Sequence, residues 1–122
     1  MKTEDVPSQV SMIMLGVENV ARSVEFYRDT LSLKLSSQST EFAFFPLGNL
    51  TLALGAPLGR AVQPRAGATE IIFPVPSVTA SHALLLDRGC KFVNEPREVT
   101  PGSWASTFTD PDGHRLTLFG SK

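Results

Sequence analysis

VENVARS, residues 17–23, and VPSVTAS, residues 75–81, carry valine, valine and serine at the same three places, 58 positions apart. Each follows a short, bounded apolar run, VSMIMLGV (10–17) in one case and ATEIIFPV (68–75) in the other. A run of that length fits a strand buried on both faces better than a helix of under three turns. Each also opens a helix. Asn19 is placed to cap VARSVEFYRDTL (20–31), in which Val20, Val24, Tyr27 and Leu31 recur at helical spacing, and Ser77 is placed to cap VTASHALLLDRG (78–89), with Gly89 at its end. Three short alternating segments follow each helix: LKLSSQ, EFAFFPL and NLTLALG in the first half, CKFV, SWASTFTD and RLTLFG in the second. Each half is therefore βαβββ, and the chain is a tandem duplication. Two copies at this period are too few for a solenoid, so the copies should pair about a pseudo-twofold axis.

The boundaries follow from the same reading. Residues 1–8 form a flexible N-terminus, and 9–122 form one domain made of module 1 (9–55), a connector (56–67) and module 2 (68–122). The connector, APLGRAVQPRAG, holds two prolines and no periodicity. In the last segments, Leu50, Thr51 and Leu52 align with Leu116, Thr117 and Leu118.

A chain of 122 residues, 42% apolar and 19% charged, has a globular composition and enough length for a single core. A formal charge of -1 without a polybasic run argues against nucleic acid as a partner. No apolar stretch reaches the roughly 20 residues that span a bilayer, and the acidic start MKTEDVPSQ lacks a signal-peptide core. The lone Cys90 cannot form an internal disulfide. A cytoplasmic location without membrane partners is expected.

Residues 17–33, VENVARSVEFYRDTLSL, resemble the V-x-D-x-x-x-S-x-x-F-Y-x-x-x-L-G-L signature of the vicinal oxygen chelate superfamily, which includes glyoxalase I, extradiol dioxygenases and bleomycin-resistance proteins. DPDGHRLTLF (110–119) is similar to that superfamily's DPDGNxxEL hairpin. The resemblance implies an α+β fold in which two tandem βαβββ modules form a curved mixed sheet around a cleft, with the helices outside. Related proteins commonly form dimers, so a homodimer is expected, with the modules pairing within or between chains.

Strand alternation then assigns faces. Ile13 and Leu15 belong under the first helix, with Met12 and Met14 toward the cleft; Ile71 and Phe73 belong under the second, with Glu70 and Ile72 toward the cleft. Leu50, Leu52, Leu116 and Leu118 are expected in the core, with Thr51, Ala53, Thr117 and Phe119 inward. Metal-dependent members of the superfamily take His, Glu or Gln ligands from the first and last strands of each module. The matching residues here are Met12, Thr51, Glu70 and Thr117, of which Glu70 alone suits a hard or borderline cation. No metal and no other cofactor is expected.

Glu70 is the candidate catalytic residue, on a strand whose alternation would bury it, and it can contact a ligand, pair with Arg65 or Arg115, or reach water at an open cleft. The expected ligand-binding set is Met12, Met14, Phe44, Thr51, Glu70, Ile72, Trp104, Thr117 and Phe119. Trp104 can stack on a flat ligand or serve packing, and the methionines can floor an apolar site or fill gaps. His114 suits a turn, His82 should face solvent, and Cys90 reads as a small core residue.

The resulting expectation is a metal-independent binding protein of the bleomycin-resistance-like type. It would hold a small apolar or aromatic molecule, with Glu70, Thr51 and Thr117 favouring a cationic or hydrogen-bond-donating one. The rivals are a glyoxalase-like lyase or isomerase or a dioxygenase-type enzyme with substituted metal ligands, a metal-free enzyme with Glu70 as general base, and an interaction domain whose cleft is filled by its own side chains.

Overall fold

Both expected helix starts form as capped turns. The Asn19 side chain accepts from the Arg22 amide, and the Ser77 hydroxyl accepts from the Ala80 amide. The computed structural model describes residues 8–62 and 69–122. All of the expected flexible start except Ser8, and residues 63–67 of the expected connector, lie outside the described residues.

Module 1 runs β1 (Met12–Gly16), α1 (Val20–Val24) with a π-helical extension (Glu25–Thr30), β2 (Ser37–Gln38), β3 (Phe42–Leu47) and β4 (Leu50–Gly55). Module 2 runs β5 (Glu70–Val75), α3 (Val78–Asp87), β6 (Lys91–Phe92), β7 (Arg97–Thr100), β8 (Ser103–Thr109) and β9 (Arg115–Gly120). Between them lies α2 (Ala56–Val62). Each module contributes one sheet, in the orders β1-β4-β3-β2 and β5-β9-β8-β6, with β7 also paired to β8. The helical crossover makes the first strand of each module parallel to the last, and the remaining pairs are antiparallel. This is the expected α+β fold of two modules.

Five local expectations need correction. Ile13, expected under the first helix, is 38% exposed, because β1 is covered only from Leu15 onward. The first helix is not α-helical throughout, because the Leu31 amide bonds the Phe26 carbonyl five residues back. Apolar residues three and four apart mark a buried stripe without revealing one widened turn. The first half of the connector is helical: Pro57 stands in the first turn of α2, where a missing N–H costs little. Gly59 lets that helix lie against β1, since a Cβ there would collide with the Val17 carbonyl oxygen. Strand β7 adds a short, fully exposed element that alternation did not mark. His82 is half-buried rather than solvent-facing, its ring 4.1 Å from that of Phe92. Because the Ser106 hydroxyl donates to the Asn94 carbonyl, His82 Nδ1 donates to Ser106 Oγ, at 3.1 Å.

The modules pair within the chain. A single core of buried side chains joins Leu15, Val24, Tyr27, Phe45 and Leu54 of module 1 to Val78, Leu85, Phe108 and Leu116 of module 2. The turn at residues 110–113 is locked to α1 by hydrogen bonds. Asp110 accepts from the amides of Asp112 and His114 through Oδ1 and from the Tyr27 hydroxyl, at 2.7 Å, through Oδ2. Asp112 accepts from the Glu18 amide, the Arg22 guanidinium and the Ser23 hydroxyl. His114 has the expected turn position, and its Nε2 also donates to the Gly16 carbonyl at 2.7 Å. The motif residues Ser23, Tyr27, Asp110 and Asp112 therefore serve as a clasp between modules.

Candidate functional site

Proline places β5 at a sheet edge before any ligand is considered. Pro74 has no N–H to give a second neighbour, and β5 pairs with β9 alone. Its face away from α3 carries Glu70 and Ile72. The Cα partners of these two on β9 are Arg115 and Thr117, and Phe119 continues the same face. On β8 the face is completed by Ala105, opposite Phe119, and Thr107, opposite Thr117. The buried hydroxyls of Thr107 and Thr117 are 2.8 Å apart and share one hydrogen bond. Arg115 Nε lies 3.5 Å from Glu70 Oε2, a charge contact without a formed hydrogen bond.

The corresponding face of module 1 is apolar. Met12 and Met14 on β1 stand beside Thr51 and Ala53 on β4, and Ala53 is flanked on β3 by Phe44. The rings of Phe42 and Phe44 stack 6.2 Å apart at 20°. Gly55 supplies the space next to Met14, whose sulfur a Cβ would strike. Met12, Ile72 and Phe119 are 42%, 56% and 40% exposed, large values for apolar side chains on strands.

Of the expected set, Met12, Met14, Phe44 and Thr51 fall together on the first face, and Glu70, Ile72, Thr117 and Phe119 on the second. Trp104 does not join them. It shares its side of β8 with the buried Ser106 and Phe108, packs against the helix-side core, and has Lys122 Nζ 5.1 Å from its ring centroid. Glu70 is not buried, because an edge strand leaves its side chain 42% exposed beside Arg115; its other proposed partner, Arg65, lies outside the described residues. The match of Thr51 with Thr117 also shifts by two. Met12 pairs with Thr51 as Glu70 pairs with Arg115, so Arg115 is the counterpart of Thr51, and Ala53 that of Thr117. A slip of two keeps every side chain on its face, which is why alternation could not expose it. Arg115 and Thr107 were thus missed as site residues, although each is two positions from a residue on this face.

The donor set does not fit a resident divalent ion. Met12 offers a thioether, Thr51 a neutral hydroxyl, and Thr117 a hydroxyl already bonded to Thr107. Glu70, the one carboxylate at these positions, faces a guanidinium that would oppose a cation. Among the described residues no three His, Cys, Asp or Glu side chains cluster to hold a metal. Cys90 is buried away from these faces, and burial pushes its thiol up to about 11, as befits a core residue.

No helix among the described residues is long and apolar enough to cross a membrane. Metallothiol transferase FosB of Staphylococcus saprophyticus is 26% identical over 112 residues, covering 89% of this chain and 74% of that protein. A glyoxalase/bleomycin resistance protein/dioxygenase from Nocardioides superposes with a TM-score of 0.80 at 23% identity, over 95% of this chain and 85% of that one. Lactoylglutathione lyase from Agrobacterium tumefaciens superposes with a TM-score of 0.74 at 20% identity, over 93% of each chain. The profile of one superfamily matches residues 9–118, and by that match the chain belongs to the Glyoxalase/Bleomycin resistance protein/Dioxygenase superfamily.

Proposed function

We propose that this chain binds a small organic molecule on the two helix-free sheet faces without a resident metal. One observation carries the reading. The positions that would hold an ion present a thioether, hydroxyls and a carboxylate facing a guanidinium, while Met12, Ile72 and Phe119 remain accessible around them. Such a surface gains free energy from covering apolar area, at roughly 25 cal/mol per Å², and needs no Lewis acid to do so. The names of the staphylococcal transferase and the Agrobacterium lyase support catalysis as the rival reading. Against a metal-free version, Glu70 is ion-paired and open to solvent rather than enclosed in the dry surroundings that favour a general base.

In this reading the protein works in the cytoplasm as a homodimer, and a second copy covers exposed apolar surface outside the ligand face, such as Val10. Native mass spectrometry of protein purified without chelator tests the binding reading. A mass adduct that is an organic molecule, lost on denaturation, supports it. A stoichiometric divalent ion whose loss abolishes a measurable turnover establishes the enzyme instead.

A further inference from the structure

We propose that the module 2 face binds the carboxylate of an amphiphilic small molecule through Arg115, assisted by the Thr107–Thr117 hydroxyl pair. The ligand's apolar body would lie on Ile72 and Phe119. The inference rests on the ligand-binding reading above and adds the chemical class of the ligand.

Three features of one strand face lead to it. Arg115 meets Glu70 through Nε, at 3.5 Å, a charge contact without a formed hydrogen bond. Its guanidinium makes no hydrogen bond among the described residues, and its side chain is 32% exposed. A guanidinium steadied from its Nε side keeps a planar edge that matches the two oxygens of a carboxylate. The second feature is a proton count. Two threonine hydroxyls carry two protons, and the bond between Thr107 and Thr117 uses one. The other can be donated to an oxyanion from a position two residues along the strand from Arg115. The third is that Phe119 and Ile72 continue this face, so an anionic head on Arg115 places an attached ring over apolar surface.

The same geometry disfavours a cationic ligand, the preference expected from Glu70, Thr51 and Thr117. Glu70 already has a guanidinium beside it, and an incoming cation would have to approach both. Beside Glu70 and two residues from Thr117, two positions where the resemblance implies metal ligands, this chain places a fixed positive charge of its own.

The test is an NMR titration of the ¹⁵N-labelled full chain with 2-naphthoate and with its uncharged isostere 2-naphthamide. The acid is expected to bind roughly tenfold more tightly, as for a hydrogen bond to a charged group, with amide shifts at Ile72, Thr117 and Phe119. Arg115→Gln should abolish that difference, Arg115→Lys should keep part of it, and Glu70→Gln should widen it. Equal affinities in the native chain, or a preference that survives Arg115→Gln, overturns the inference and leaves the binding reading standing. If neither compound shifts any resonance on either face, both fall. Should Arg115→Gln fail to fold, the native comparison and the Glu70→Gln arm still decide the outcome.

Discussion

The Tyr27 hydroxyl donates to Asp110 Oδ2 at 2.7 Å, across 83 positions of sequence, and both side chains are buried. Through this contact the helix of module 1 recognises the last hairpin of module 2. Asp110 needs the donor, since a buried carboxylate is tolerated only when its oxygens are satisfied. Burial and the neighbouring Asp110 charge in turn hold the Tyr27 phenol well above its ordinary range.

Tyr27→Phe should therefore destabilise the chain by about 2 kcal/mol, because it removes a hydrogen bond to a charged group and leaves the group buried. Urea denaturation checks this. The pH dependence has a definite sign. With the folded value raised, the unfolded chain loses this proton first, so the stabilisation is complete below the ordinary tyrosine value of about 10 and declines as pH rises above it. Tyr27→Phe should flatten that alkaline decline in thermal midpoints, and an unchanged slope would count against the assigned role.

Ser32 stands where the superfamily signature has glycine and adopts φ +63°, a left-handed conformation that disfavours a side chain. Its hydroxyl accepts from Arg88 Nη1 at 3.2 Å, but the same nitrogen also donates to the Thr30 carbonyl at 2.9 Å. Relief of backbone strain should outweigh the exposed hydrogen bond and glycine's extra unfolded-state entropy, so Ser32→Gly is expected to stabilise by about 0.5–1 kcal/mol. Ser32→Ala, which keeps the strain and loses the hydroxyl, should be no more stable than the native chain. Thermal unfolding of the two variants side by side separates the contributions.

What could be read from residues alone was mostly local. Asn19, Ser77 and Gly89 punctuate helices through short-range chemistry, and the inside-outside alternation of Glu70–Phe73 follows from strand geometry, whereas in β1 the period gives the face of Ile13 but not its cover. The misreadings each needed information from another element. Pro57 and Gly59 look like helix breakers until β1 is seen lying against α2. Trp104 can stack on a ligand or pack in the core by residue type alone, and pairing with β9 decides its face. For Glu70, alternation gives a face but not whether that strand is covered, and the edge position leaves it exposed. The register that makes Arg115, rather than Thr117, the counterpart of Thr51 is a long-range property, invisible to a period of two.

Gly59 offers a packing test of the unexpected helix. Its backbone approaches the Val17 carbonyl so closely that an added methyl must push α2 away from β1. Gly59→Ala should cost about 1–3 kcal/mol by overpacking, although alanine is the better helix former. A gain in stability, read from denaturant midpoints, would show that intrinsic propensity rather than contact with β1 governs this segment.

Cys90 gives a kinetic check on the core. With its thiol pushed up to about 11 by burial, only a trace of thiolate exists at pH 8 in the folded chain. The unfolded thiol has a value near 8.5, so iodoacetamide should alkylate native protein roughly 100-fold more slowly than urea-unfolded protein at that pH. The linkage has the same sign as for Tyr27: the raised folded value contributes stability below about 8.5 that is lost as pH climbs toward 11. Rapid native labelling would place the sulfur in an opened or activated setting instead.

The donor chemistry of the site makes a final prediction about ions. A ligand that binds only the folded state raises its stability by RT ln(1 + [L]/Kd), or about 2.7 kcal/mol at 100 times Kd. If the thioether of Met12, the hydroxyls of Thr51 and Thr117 and the ion-paired Glu70 cannot retain a divalent cation, no such increment exists to be gained or lost. Thermal midpoints should then be the same within a degree in excess EDTA and in micromolar Ni²⁺, Zn²⁺ or Mn²⁺. Glu70→Gln removes the only carboxylate of the set and should leave that indifference unaltered. A cation-dependent rise that disappears in Glu70→Gln would locate a metal at this carboxylate and reverse the assignment of the site.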